Sequence, residues 1–247
     1  MVPIQMDTAN LTGGNITGPA RTITTNCNAS SEVTSVVDPN STVSFTRDNM
    51  GRATTVATTI ATLSQSVSLN QVFDAASNRT ELRATVGGTP DFKNNYTYDK
   101  LRRLTNVVQT GQAGGNSVVS KHIVQSFNAA SQRTNITRYQ SAGTTNLVAS
   151  TIFTYDTAGR LNGIGHTQGA TNLNTYAYAY DPLSRLSSVT STAEGTTNYS
   201  YFNDSQLKSA SGSQPNESYT YDTNGNRTMA GYTTIADNRT TADPNFT

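Results

Sequence analysis

A tyrosine, an aspartate, a short turn signature and an arginine-leucine pair recur along nearly the whole chain. The clearest copy reads Phe153, Tyr155, Asp156, Gly159, Arg160, Leu161 and Ile164. A unit that returns every 20 to 29 residues commits the sequence to one small element built repeatedly, with each copy touching its neighbours. The tyrosine position falls on Cys27, Arg47, Phe73, Tyr98, Phe127, Tyr155, Tyr180, Tyr201 and Tyr221, which makes nine copies. Two residues earlier stand Phe45, Tyr96, Phe153, Tyr178, Tyr199 and Tyr219, so one repeated slot pair absorbs most of the tyrosines. The next position is Asn28, Asp48, Asp74, Asp99, Asn128, Asp156, Asp181 or Asp222, and after Tyr201 it becomes Phe202.

Two subtypes follow the acid. Arginine comes four residues later in Arg52-Ala53, Arg103-Leu104, Arg160-Leu161 and Arg185-Leu186, and five later in Arg79-Thr80, Arg133-Thr134 and Arg227-Thr228. Each copy reads as a β-hairpin. Aromatic residues at alternate positions, such as Phe153 and Tyr155, place two rings on one face of a strand. Asp156 to Gly159 then fits a type I turn, with Asp at the first position and a fourth residue, Gly159, suited to positive φ. Pro182 at the second position of the Asp181 copy presets φ for the same turn, and Gly225 repeats the glycine in the Asp222 copy. Leu161 and Ile164, Leu104 and Val107, and Leu186 and Val189 are spaced by three, so the returning strand contains either a bulge or a change of face.

Thr, Ser, Asn, Gly, Tyr and Val dominate, and no long segment has a 3.6-residue apolar period, so the fold class is all-β. An apolar content of 34% suits a sheet with one wet face. Disorder is the competing reading, and a net charge of only +1 with periodic aromatics speaks against it. Residues 21–247 form one array. Residues 1–20, with Met6-Asp7, Asn10-Leu11-Thr12, Gly13-Gly14, Gly18 and Pro19, are a degenerate first repeat or a lead-in. The spacing stretches most around Gly111 to Asn116 and Gly143 to Asn146, where longer connections belong at a sheet edge.

Chemistry is sparse. The sole cysteine, Cys27, excludes an internal disulfide and occupies the tyrosine slot as a small buried residue. His122 and His166 lack neighbours at metal-ligand spacing and read as surface or loop residues. An Asp and an Arg repeated in most copies perform one structural task many times: the acid caps a turn and the arginine stacks or ion-pairs. Gly13-Gly14, Gly87-Gly88 and Gly114-Gly115 lack the lysine of a phosphate loop and read as turns. Unclustered basic charge argues against nucleic acid, and no apolar run is long enough for a signal or a membrane span. Asn-x-Ser/Thr triplets, as at Asn78, Asn95 and Asn226, are expected in so Asn- and Thr-rich a chain and leave glycosylation open.

The segments 155–161, 98–104 and 221–228, with the linking turn Asp38-Pro39-Asn40-Ser41 before Phe45, closely resemble the RHS, or YD-repeat, family. That resemblance implies a spiralling, curved sheet of β-hairpins, which in bacterial RHS proteins, insecticidal toxin complexes and teneurins winds into a hollow shell. In the bacterial members the shell encloses a toxic C-terminal domain; other members act at cell surfaces and in carbohydrate-associated adhesion. The family's closing motif is not found here, and no cap follows Asn238-Arg239-Thr240, so a curved open sheet and a partial shell, truncated at its C-terminal end, are expected.

The expected role is a non-enzymatic structural segment of a secreted or cell-surface protein, with no catalytic residue, cofactor or metal. Its partners are the remainder of a longer RHS-type chain or an enclosed toxin domain. The alternative is an adhesive module that binds carbohydrate or a cell-surface ligand through tyrosines and amides, a case weakened by the absence of Trp. The structural repeat positions are Cys27, Phe73, Asp74, Tyr98, Asp99, Arg103, Phe127, Tyr155, Asp156, Gly159, Arg160, Tyr180, Asp181, Arg185, Tyr201, Tyr221, Asp222, Gly225 and Arg227.

Overall fold

The computed structural model describes residues 4–7, 22–63, 65–213, 215–229, 231–234 and 240–242. These are strands, turns and loops, with no helix among the described residues. They divide into two compact units, residues 1–126 with 137–148, and residues 127–136 with 149–247. The first unit contains β1 (Ile4–Asp7), β2 (Thr22–Cys27), β3 (Val33–Asp38), β4 (Ser41–Arg47) and β5 (Ala53–Ile60). It continues with β6 (Ser66–Phe73), β7 (Arg79–Val86), β8 (Thr89–Tyr98), β9 (Leu104–Gly111) and β10 (Lys121–Phe127). Each of these strands pairs antiparallel with the next in sequence. Residues of β11 (Arg133–Tyr139) are divided between the two units.

The second unit contains β12 (Leu147–Tyr155) from Ala149 onward, β13 (Leu161–Gln168), β14 (Thr171–Tyr180), β15 (Leu186–Ser191), β16 (Gly195–Tyr201), β17 (Leu207–Gly212) and β18 (Glu217–Ser218). Here too each strand pairs antiparallel with its successor. Two short strands, β19 (Thr233–Thr234) and β20 (Thr240–Ala242), make a separate ribbon. In the expected degenerate first repeat, Met6 and Asp7 lie in β1 opposite Ile23 and Thr22. Asn10 to Thr12, the Gly13-Gly14 pair, Gly18, Pro19, Asn238 and Arg239 lie outside the described residues.

The spacing of three after each turn is a bulge. In the β12–β13 hairpin Phe153 faces Ile164 and Thr154 faces Gly163, but Tyr155 faces Leu161, leaving Asn162 as the extra residue. Leu161 and Ile164 therefore return to the face that carries Phe153 and Tyr155. The same shift puts Leu104 opposite Tyr98 and Val107 opposite Tyr96, and Leu186 opposite Tyr180 and Val189 opposite Tyr178. A change of face is thereby excluded in these hairpins.

Little is sealed from water. Among the described residues Ala84 is the one buried apolar residue, and no large side chain is fully enclosed. All twelve tyrosines are half-buried, neither core nor fully exposed. The residues between the paired aromatics, Thr46, Thr97, Thr154, Ser200 and Thr220, point to the other face and are exposed. There hydroxyls meet across strands, Thr46 with Thr54 at 3.2 Å, Ser200 with Ser209 at 2.6 Å and Thr220 with Thr228 at 2.8 Å. Low apolar content thus follows from one face of half-covered rings and one of hydroxyls.

Candidate functional site

The repeated chemistry converges on the hairpin turns. In all nine the amide of the acid position donates to the carbonyl four residues on, and the amide three residues on donates back to the acid's carbonyl. For the Asp156 turn these bonds are Asp156 N–H to the Arg160 carbonyl and Gly159 N–H to the Asp156 carbonyl, both 2.9 Å. The fourth residue is left-handed throughout, from φ 61° at Ser131 to φ 83° at Gly225. This is the expected type I turn closed by a left-handed residue. Glycine holds that corner only at Gly51, Gly159 and Gly225; Ser31, Ser77, Ser131, Ser184, Ser205 and Arg102 hold it elsewhere.

The acid's side chain fastens the turn from inside. Asp181 Oδ1 accepts the Leu183 and Arg185 amides, both at 2.9 Å, while Oδ2 accepts Arg185 Nε at 2.7 Å. Asp48 with Arg52, Asp99 with Arg103 and Asp156 with Arg160 repeat that ion pair at 2.6 to 2.7 Å. Both arginine subtypes reduce to one rule, because the residue four past the acid answers it in all six aspartate turns. Asn78 Nδ2 donates to Asp74 Oδ2 and Asn226 Nδ2 to Asp222 Oδ2, each at 2.9 Å. Where the acid is replaced by an amide the polarity reverses: Asn28 donates to Glu32 and Asn128 to Gln132, each at 2.8 Å. Phe202 abolishes the first partner, and Asp204 Oδ1 then accepts the Gln206 amide at 3.1 Å.

These bonds hold the turn carboxylates of Asp48, Asp74, Asp99, Asp156, Asp181 and Asp222 below the ordinary value of 3.8. The backbone amides of Arg103 and Arg160 contribute most at Asp99 and Asp156, and the Asn78 and Asn226 side chains do so at Asp74 and Asp222. At Asp48 and Asp181 burial is the largest single influence and pushes upward, but the bonds and charge of Arg52 and Arg185, together with the Met50 and Leu183 amides, outweigh it.

Six slot residues, Arg47 and five tyrosines, fasten their hairpin to the previous one. Tyr98 hydroxyl donates to the Arg79 carbonyl at 2.9 Å, and Tyr155 hydroxyl to the Arg133 carbonyl at 2.8 Å. Tyr180 reaches Leu161 at 2.6 Å, Tyr201 reaches Leu186 at 2.8 Å and Tyr221 reaches Leu207 at 3.0 Å. The acceptor each time is the first residue of the previous returning strand, and for Arg79, Leu161, Leu186 and Leu207 it lies at the bulge. Arg47, the least tyrosine-like occupant, makes the same connection through Nη2 to the Val33 carbonyl at 3.2 Å. Burial, first of all, raises the Tyr98 phenol above its ordinary 10.0.

Arginines fasten hairpins in the forward direction. Arg160 lies 4.6 Å from the Tyr180 ring centroid and Arg185 the same distance from Tyr201; Arg52 lies 4.9 Å from Phe73. Their Nη1 groups continue to the next turn, Arg52 to the Asp74 carbonyl at 3.1 Å and Arg185 to the Phe202 carbonyl at 3.2 Å. The five-residue subtype differs: Arg79 covers Tyr96 at 4.9 Å, Arg133 lies 5.9 Å from Phe127, and Arg227 covers Tyr219 at 4.7 Å and donates to the Tyr232 hydroxyl at 3.1 Å.

Three expectations need correction. Cys27 is half-buried, as are the other eight slot residues. His122 and His166 are in strands β10 and β13 rather than on the surface or in loops. His122 is buried, with Nδ1 at 3.0 Å from the Gly143 carbonyl and Nε2 at 3.0 Å from Asn106 Oδ1. It joins the strand ahead of one long connection to the next long connection, a contact that motif spacing cannot reveal. His166 Nδ1 sits 3.1 Å from Thr151 Oγ1, beside the edge of Tyr176. No group of three or more His, Cys, Asp or Glu is arranged to hold a metal among the described residues.

Residues 123–240, just under half of the chain, match the family described as Teneurin YD-shell. Among solved structures, the Photorhabdus luminescens Tc holotoxin pore shares the fold, with a TM-score of 0.57 and 15% identity over 91% of this chain. The chain corresponds to 14% of the length of that relative. A crystal structure of TcdB2-TccC3 aligns over 91% of this chain and 15% of its own, at 15% identity and a TM-score of 0.40. No curated protein sequence matches.

Proposed function

We propose that the chain is an RHS/YD-repeat protein of the shell type and, from that premise, a non-enzymatic wall segment of a larger shell that encloses or presents a partner domain. Residues 21–247 act as one repeat array, and residues 1–20 are a lead-in to it or a degenerate first repeat. The partner is the rest of an RHS-type polypeptide or a toxin domain held by it, and the assembled protein is secreted or displayed at the cell surface.

One observation carries this reading. The charged and hydroxyl groups repeated from copy to copy are spent on their own turn or on the adjacent hairpin, as in Arg185 to Asp181, Tyr201 and Ser205. Such groups build a wall and leave no convergent set for a reaction. Cryo-electron microscopy of the longest natural polypeptide containing this segment tests the proposal. Hairpins lying in a closed wall around internal density are expected. Hairpins standing free of any enclosure, or specific glycan-array binding by the isolated chain, would contradict it.

A further inference from the structure

The left-handed corner of each turn differs from copy to copy in a way that follows the turn before it. Arg52 Nη1 donates to Ser77 Oγ at 3.0 Å, Arg160 Nη1 to Ser184 Oγ at 3.0 Å, and Arg185 Nη1 to Ser205 Oγ at 3.3 Å. Serine stands in those corners at φ 62° to 70°, where glycine would be the less strained residue. Glycine appears instead where the preceding turn carries Glu or Gln four residues past its first position. Gly51 follows Glu32, Gly159 follows Gln132, and Gly225 follows Gln206. A Cβ on Gly51 would lie 2.8 Å from Glu32 Oε1, and one on Gly225 would lie 3.3 Å from Gln206 Nε2. Gln132 closes over its glycine differently, donating from Nε2 to the Gly159 carbonyl at 2.6 Å while its Oε1 is held by Asn128. One junction uses a third pair, Asn78 Oδ1 accepting Nε of Arg102 at 3.2 Å.

We propose that the side chain four residues past the acid selects the corner residue of the next turn, so that these pairs specify which hairpin docks after which. Arginine selects a hydroxyl-bearing corner; Glu or Gln selects glycine; asparagine selects a corner that can donate to it. Near-identical hairpins in one chain can dock out of order, and a strained serine that satisfies only an arginine-bearing neighbour discriminates between copies. The pairing is local to each junction and does not depend on what the array encloses.

The test is a cycle in the full chain, comparing S184G with Arg160 present and in an R160Q background, by chemical unfolding. In the R160Q background the glycine should raise the unfolding midpoint, since it relieves the left-handed strain and forfeits nothing. With Arg160 present that gain should vanish or reverse, a difference of about threefold in the unfolding equilibrium constant, as expected for one hydrogen bond to a charged group near the surface. Equal shifts in both backgrounds would overturn the proposal. If R160Q does not fold, the reverse exchange serves: G159S should lower the midpoint with Gln132 in place and recover at least half of that loss with Q132R. Absence of recovery would equally overturn it.

Discussion

The turn edge and the edge carrying the connections between hairpins are served by the same strands but follow different rules. At the turn edge every crossing spans the same interval, with the same pair of backbone bonds and the same left-handed corner. At the other edge the crossings range from the Gly87-Gly88 turn to residues 112–120 and 140–146. Each is stabilised in its own way. Asp38 Oδ1 accepts the Asn40 and Ser41 amides at 2.7 and 3.0 Å; Gln112 Nε2 bonds the Ala84 and Phe92 carbonyls at 2.7 and 3.0 Å. Tyrosine hydroxyls and arginines register neighbouring hairpins at the turn edge, so the other edge is free to vary in length without loss of register.

Inserting one residue breaks that contrast most forcefully. A glycine added between Leu101 and Arg102 displaces β9 against β8 and sends Leu104 and Val107 toward the hydroxyl face. A loss of about 3 kcal/mol in chemical unfolding is expected, in the range of severe single-site lesions. The same glycine between the exposed Asn116 and Ser117 should cost less than about 0.6 kcal/mol. Comparable losses at both positions would show that the edges do not differ.

Smaller changes sharpen the comparison. Arg185→Ala removes an ion pair, a ring contact and a bond to the Phe202 carbonyl, and should cost about 1–2 kcal/mol in thermal or chemical unfolding. Tyr180→Phe retains the ring and removes one donor to the Leu161 carbonyl, and should cost about 1 kcal/mol. Acid should act on the turn edge as well. Its six depressed carboxylates contribute stability above their ordinary value of 3.8 that is lost as pH falls through their lower folded values. The unfolding midpoint should therefore decline below pH 3.8, and less so in a chain carrying Asp156→Asn and Asp181→Asn.

Much of the turn edge is legible in the sequence. Tyr155-Asp156 and Asp181-Pro182 identify strand end and turn start, because those residue types act through their own backbone. Spacing alone does not choose between bulge and change of face, since a gap of three fits either; only the cross-strand partners of Leu161 and Ile164 decide it. The tyrosine hydroxyl contacts are hidden in the sequence for a different reason. Donor and acceptor are 19 residues apart for Tyr180 and Leu161, and only hairpin stacking makes them neighbours. Arg47 is the instructive case, a poor match to the tyrosine slot that supplies the same donor from a different side chain. Burial of His122 rests on Asn106 and on Gly143 in a connection of no repeating length, which no motif announces.

Amide hydrogen exchange in the wild-type chain and in Tyr180→Phe tests most directly whether slot hydroxyls fasten one hairpin to the preceding one. The account predicts faster exchange at Gly159 and Arg160, in the turn preceding the lost contact, with the amides around Gly169 and Ala170 unchanged. Acceleration confined to the Asp181 to Arg185 turn, or spread evenly over both edges, would contradict it.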